Sequence, residues 1–126
     1  MMARLYKTSS NSSDPHLNST AELLIDQLEI ADSFWHRGKG LLGREGLTEN
    51  QALWITPTNN IHTYFMKFSI DCIFVDRKLE IKKIVKSIPA FRLVGPYWKA
   101  HSVIETQAGF AESKKLNIGD QLYVVS

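Results

Sequence analysis

Residues 59–76 read NNIHTYFMKFSIDCIFVD, the densest apolar run in the chain, and the reading of this stretch decides the fold. Ile61 to Phe65 is rich in β-branched and aromatic residues, which favours a strand. Ile70 to Val75 reads Ile-Asp-Cys-Ile-Phe-Val and is apolar at every position except Asp71. A strand covered on both faces has this pattern. Lys67, Phe68 and Ser69 leave room for a bend between the two strands. His62, Thr63 and Asp71 are polar groups set where apolar ones pack more easily, and a buried carboxylate at Asp71 requires hydrogen-bond partners.

Working outward, the chain before this stretch is weakly patterned. Residues 1–20 are polar, rich in Ser and Asn, and show no periodicity, so a disordered tail is expected there. Ala21 to Ala31 alternates as a strand, although Leu23 to Ile25 also fits the start of a helix. Asp32 or Ser33 caps a short helix over Phe34 to Leu42, weakened by Gly38 and Gly40. Gly43 to Thr48 is a loop, Ala52 to Thr56 a short strand closed by Pro57, and residues 58–60 a turn.

After Asp76, Leu79 to Ile88 resumes a strand with Lys82 and Lys86 on one face. Ile84 breaks the alternation, so a bulge or a two-sided strand is expected. The lysines suit a solvated, edge-protected strand better than a nucleic-acid patch. Pro89 to Ala100 is a long loop carrying Phe91, Arg92, Tyr97 and Trp98, which either line a pocket or cover the end of a barrel. His101 to Thr106 is a strand, Ala108 to Leu116 a short helix, and Gln121 to Val125 the last strand.

Strands outnumber helices, and the helices are too few to cover both faces of a parallel sheet. The expected fold is mainly β: a single compact β-barrel or β-sandwich domain over residues 21–126 with one or two short helices. At 126 residues, 44% hydrophobic and 22% charged, the chain is long enough to bury a core of its own. A net charge of +2 gives no bulk electrostatic case for nucleic acid. No apolar run approaches the roughly 18 residues of a membrane span, and MMARLYKTSS lacks the apolar core of a signal peptide. One cysteine allows no internal disulfide and fits a reducing, cytoplasmic setting.

The common chemical motifs are absent. His16, His36, His62 and His101 have no metal-ligand spacing, so neither metal nor cofactor is expected. Cys72, set among Ile70, Ile73 and Phe74, reads as a buried inert thiol rather than a nucleophile. If the two central strands pair as neighbours, His62 and Asp71 come within hydrogen-bond reach as a catalytic acid/base pair. Alternatively, Asp71 caps backbone groups and His62 is a satisfied, half-buried histidine.

Three blocks of the chain resemble one family. NIHTYFMKFSIDCIFVD, RGKGLLGREGL from Arg37 to Leu47, and VIETQAGFAESKKLNIGDQLYV near the end are similar, in that order, to the signatures of the domain of unknown function 192 family, also called UPF0127. The resemblance spans about residues 28–125. It implies a small β-rich domain of bacterial-type family with no established activity. Its recurring positions fall on His62, Thr63, Met66 and Asp71, on Arg92 in the long loop and on Glu105 in the late strand. Gly109, Gly119 and Asp120 match the closing block and look structural. The chain departs from the pattern at Leu42, at Ser69 and at Lys78-Leu79, where an acidic-Gly turn is usual.

Together these readings predict a binding module whose cleft, lined by His62, Thr63, Met66, Asp71, Arg92 and Glu105, takes a small polar or anionic ligand or a peptide. The alternatives are a hydrolase or isomerase using His62 and Asp71, and a protein-interaction accessory protein whose polar cluster is structural.

Overall fold

The computed structural model describes residues 2–9, 20–64 and 66–126. Nine strands and two short helices follow in the order β1 (Met2–Ser9), β2 (Thr20–Ala31), α1 (Phe34–Lys39), β3 (Gln51–Ile55), β4 (Ile61–His62), β5 (Ile70–Val75), β6 (Ile81–Ile88), β7 (Leu93–Val94), β8 (Ser102–Gln107), α2 (Phe110–Ser113) and β9 (Gln121–Val125). Seven strands form one sheet in the order β6-β5-β8-β3-β2-β1-β9, and β4 pairs with β7 in a separate ribbon. All pairings are antiparallel except β2 with β3.

The sheet curls until its two edge strands meet at one end. Glu80 bridges Gln121, Ile81 N–H donates to the Asp120 carbonyl, and Gly119 N–H donates to that of Ile81. The contact is confined to this end, so the fold is a curled sheet and not a closed barrel.

Curling gives the sheet an inner and an outer face, each with its own core. Inside lie Leu5, Ile25, Leu28, Ile73, Val75, Ile104 and Leu122, with Phe110 and Ala111 of α2 over the open side. Outside, Leu53, Cys72, Phe74 and Val103 are roofed by Leu41 and Leu47 of the segment after α1 and by Ile61 and Val94 of the small ribbon. Every residue of β5 is buried for this reason, alternate residues serving alternate cores. The two-faced apolar pattern of Ile70 to Val75 thus has its explanation.

Residues 2–9 are not a disordered tail. They form β1, hydrogen-bonded to β2 on one side and β9 on the other, and Leu5 is fully buried. The alternation of Ala3 and Leu5 is too short to register as a pattern, and the partners that order it lie far along the chain. The rest of the expected tail, residues 10–19 with His16 among them, lies outside the described residues.

Two local expectations change, and one departure from the family pattern finds its explanation. The first central strand is only Ile61–His62, and it pairs with β7 inside what reads as the long loop, not with β5. The helix after Ser33 ends at Lys39; the Ser33 hydroxyl accepts from His36 N–H at 3.1 Å as its cap. After Asp76 the turn forms without glycine: the Asp76 carboxylate accepts from Lys78 and Glu80 N–H at 2.9 and 3.0 Å, and Leu79 takes a left-handed φ of 66°. The irregular pairing expected of β6 is present as register shifts against β5.

Candidate functional site

Cross-strand register fixes which polar side chains share a face. Glu29 of β2 stands opposite Leu53 of β3, Leu53 opposite Glu105 of β8, and Glu105 opposite Cys72 of β5. One row on the outer face therefore carries two carboxyl groups on either side of Leu53. Their surroundings separate them chemically.

Glu29 is neutralised. Burial acts to raise its pKa, but an ion pair with Arg44 and a 3.1 Å contact to His36 Nε2 more than offset it, and the carboxyl sits below its ordinary value. Both partners come from the α1 segment, so this trio fastens that segment to the sheet.

Glu105 has no such partner. It is 3% exposed, and among the described residues no hydrogen bond reaches its carboxyl group. Burial pushes its pKa up to about 8, with Arg44 pulling weakly the other way. The neighbouring Cys72 thiol is raised well above its ordinary value by burial and then by Glu105 and Asp71, so it is a poor nucleophile at neutral pH.

Glu105 faces a cleft of about 340 Å³ between the α1 segment on one side and residues 57–62 with Met66 on the other. Leu41, Ile55, Ile61 and Met66 give apolar walls, and Arg37, Lys39 and His62 stand around the opening. Glu105 is the one acid among the described lining residues. Arg37 reaches the Pro57 carbonyl at 3.3 Å, tying one wall to the other. The His62 ring stacks on Tyr64 at 5.3 Å, and Tyr64 meets Phe91 at 6.4 Å, so an aromatic ridge runs away from the opening.

The expected six-residue cluster divides in this structure. His62, Met66 and Glu105 share the cleft. Asp71 does not: it alternates with Cys72 and so points to the inner face. There its two carboxylate oxygens accept from Ser87 N–H at 2.8 Å and Ala111 N–H at 3.0 Å, joining β6 and α2 to β5. This is the backbone-capping role, and the expected pairing with His62 does not form because β4 is not a neighbour of β5. Thr63 is fully buried; its hydroxyl donates to the Pro89 carbonyl at 2.7 Å and accepts from Arg92 N–H at 2.9 Å. It staples the Pro89 loop and lines nothing.

Arg92 lies apart as well. It borders a shallow depression with Lys86, Leu93 and Tyr97, on the far side of the β4–β7 ribbon from Glu105. Arg37 and Lys39 take the place at the cleft that Arg92 was expected to hold. Their signal in the sequence was the block RGKGLLGREGL, whose two early glycines leave the helix short and its basic last turn at the edge of the cleft. Gly95 holds the other wall: at φ 94°, a β-carbon there would fall 2.6 Å from the Asn59 carbonyl oxygen, so the loop can pack against residues 59–60 only with glycine.

Among the described residues no three His, Cys, Asp or Glu side chains gather as a metal site requires. No described helix is long and apolar enough to cross a membrane.

Comparison with known proteins agrees with this architecture. A UPF0127 protein of Thermococcus sibiricus is 33% identical over 104 residues, covering 76% of this chain and 64% of that protein, so less than two thirds of the relative is spanned. A UPF0127 protein of Pyrococcus horikoshii is 32% identical over 101 residues, covering 76% of this chain and 85% of the relative. These relatives are archaeal, so the expected bacterial character is too narrow. Two crystal structures share the fold. One is a candidate transcription regulator of Sinorhizobium meliloti (TM-score 0.81, 15% identity, 98% of this chain and 94% of that one). The other is a protein of unknown function from Novosphingobium aromaticivorans (TM-score 0.78, 16% identity, 97% and 84%). At such identities only the fold is shared. The profile of the DUF192 family, described as Uncharacterized ACR, matches residues 16–124, and the chain belongs to that family.

Proposed function

We propose that the chain is a binding module that takes a small polar ligand into the cleft beside Glu105. One observation carries this reading: a carboxyl group almost wholly out of water, without a hydrogen-bond partner among the described residues, at the wall of a cavity large enough for a small molecule. Among the described residues no fully buried side-chain nitrogen or oxygen lacks a partner, so the carboxyl oxygens reach the cleft itself, and acids in such surroundings concentrate where something is bound or reacted. The contrast with Glu29 strengthens the case, since the α1 segment supplies Arg44 and His36 to one carboxyl of this row and no hydrogen bond to the other.

Binding is favoured over catalysis because the acid/base pair has no geometry: both Asp71 oxygens are committed to backbone donors. The test is a heteronuclear NMR screen of the purified chain against a broad panel of small polar metabolites. Concentration-dependent shifts at Gly40, Ile61, Met66 and Glu105 are expected for at least one compound, and they should vanish in Gly38→Trp, which places a large ring at the opening. A panel that leaves the cleft resonances unmoved would overturn the proposal.

A further inference from the structure

The distribution of charge and apolar surface within the cleft narrows the ligand, given the binding reading above. Three zones are distinguishable. The innermost polar group is the Glu105 carboxyl. The other walls of the cleft are apolar, with Leu41, Ile55 and Met66 all buried. At the opening the charged groups are cations, Arg37 and Lys39, and both are more exposed than Glu105.

We propose that this cleft recognises an aminocarboxylate: a primary ammonium group held by Glu105, an apolar chain along Leu41, Ile55 and Met66, and a terminal carboxylate met by Arg37 and Lys39. A ligand that brings only an anion gives the ionised carboxylate nothing to pair with and sets like beside like once Glu105 loses its proton. An ammonium group supplies three donors and the missing positive charge in a place where water screens little. A divalent cation is a poorer match, because it needs several oxygen ligands and the described lining offers a single acid.

The proton balance follows from the carboxyl's state. With a pKa of about 8, Glu105 is mostly protonated at neutral pH. Binding an ammonium group stabilises the carboxylate, so the proton on Glu105 passes to solvent and an ion pair remains. The other titratable or charged groups facing it are Arg44 of the α1 segment, Cys72 of β5, and His62, Arg37 and Lys39 around the cleft. Of these, the Cys72 thiol stays protonated at neutral pH. The Glu105→Gln variant assigns the release to that carboxyl.

The experiment is calorimetry on the full chain at pH 7, in two buffers of different ionisation enthalpy, with matched series of 4-, 6- and 8-carbon compounds. Each series comprises the ω-aminocarboxylate, the simple amine and the simple carboxylate. At one length the aminocarboxylate should bind at least ~10-fold more tightly than either half-molecule, the ratio given by about 1.4 kcal/mol of added interaction. Its binding should release close to one proton. Glu105→Gln, which keeps the shape and the uncharged state, should abolish the release and cut affinity by a similar factor. Arg37→Ala should reduce the aminocarboxylate to the level of the simple amine. Simple carboxylates binding as tightly as aminocarboxylates, or proton release that persists in Glu105→Gln, would overturn the assignment. If none of these compounds binds while other metabolites shift the cleft resonances, the aminocarboxylate assignment fails and the binding reading stands. If nothing enters the cleft, both fail.

Discussion

Raising the pH from 5 to 9 should weaken the fold through Glu105, and the magnitude follows from its burial. The group titrates near 4.5 when solvated and at about 8 in the folded chain. Between those values the folded state holds a proton that the unfolded state has released, so stability falls as pH rises. Each pH unit in that window costs about 1.4 kcal/mol, and the loss between pH 5 and 9 comes to about 4 kcal/mol. Above pH 8 the folded state also ionises and the loss levels off. The sign is opposite to that of a salt-bridged carboxylate such as Glu29, which stabilises once it is ionised. Urea unfolding of the wild type and Glu105→Gln at pH 5, 7 and 9 isolates the contribution, because the amide does not titrate. The variant should match the wild type within about 1 kcal/mol at pH 5 and exceed it by about 4 kcal/mol at pH 9. Parallel pH profiles for the two proteins would show that water or another group solvates Glu105 and that the carboxyl is not held protonated.

Three further outcomes are expected. Asp71→Ala should destabilise the fold by about 2–4 kcal/mol at neutral pH, since it orphans the buried N–H of Ala111 and removes the acceptor of the part-buried Ser87 N–H; a loss under about 1 kcal/mol in chemical denaturation would mean that other acceptors replace it. Cys72 should stay unlabelled by a thiol reagent in the native state and react fully in urea, and rapid native labelling would contradict its burial. Leu5→Ala should cost about 2–5 kcal/mol, as expected for a fully buried leucine between two strands, whereas an unchanged melting temperature would return residues 2–9 to the status of a tail.

The sequence alone determined those features whose causes lie within a few residues. Ile70 to Val75 announces a doubly covered strand because five of six successive positions carry the signal, and the observed limits coincide with the reading. Gln121–Val125 and the Ser33 cap are equally local. The need for buried partners at Asp71 was legible as well, from a carboxylate set in an apolar run. What the sequence could not supply was the identity of distant partners. Strand β1 is ordered by residues 20–29 and 121–125, and β7 by two residues of β4, none of which marks its own segment. The candidate site depended on the same kind of information. His62, Asp71, Arg92 and Glu105 are all polar in suggestive places, but only the sheet order and the alternation of Asp71 with Cys72 place Glu105 on the outer face and Asp71 on the inner one. A one-residue difference in register exchanges the two faces of a strand, so composition cannot decide which acid meets the cleft. The tertiary structure gave that place to Glu105, beside Arg37 and Lys39, because the segment after α1 folds over the outer face to cover Leu53 and Phe74.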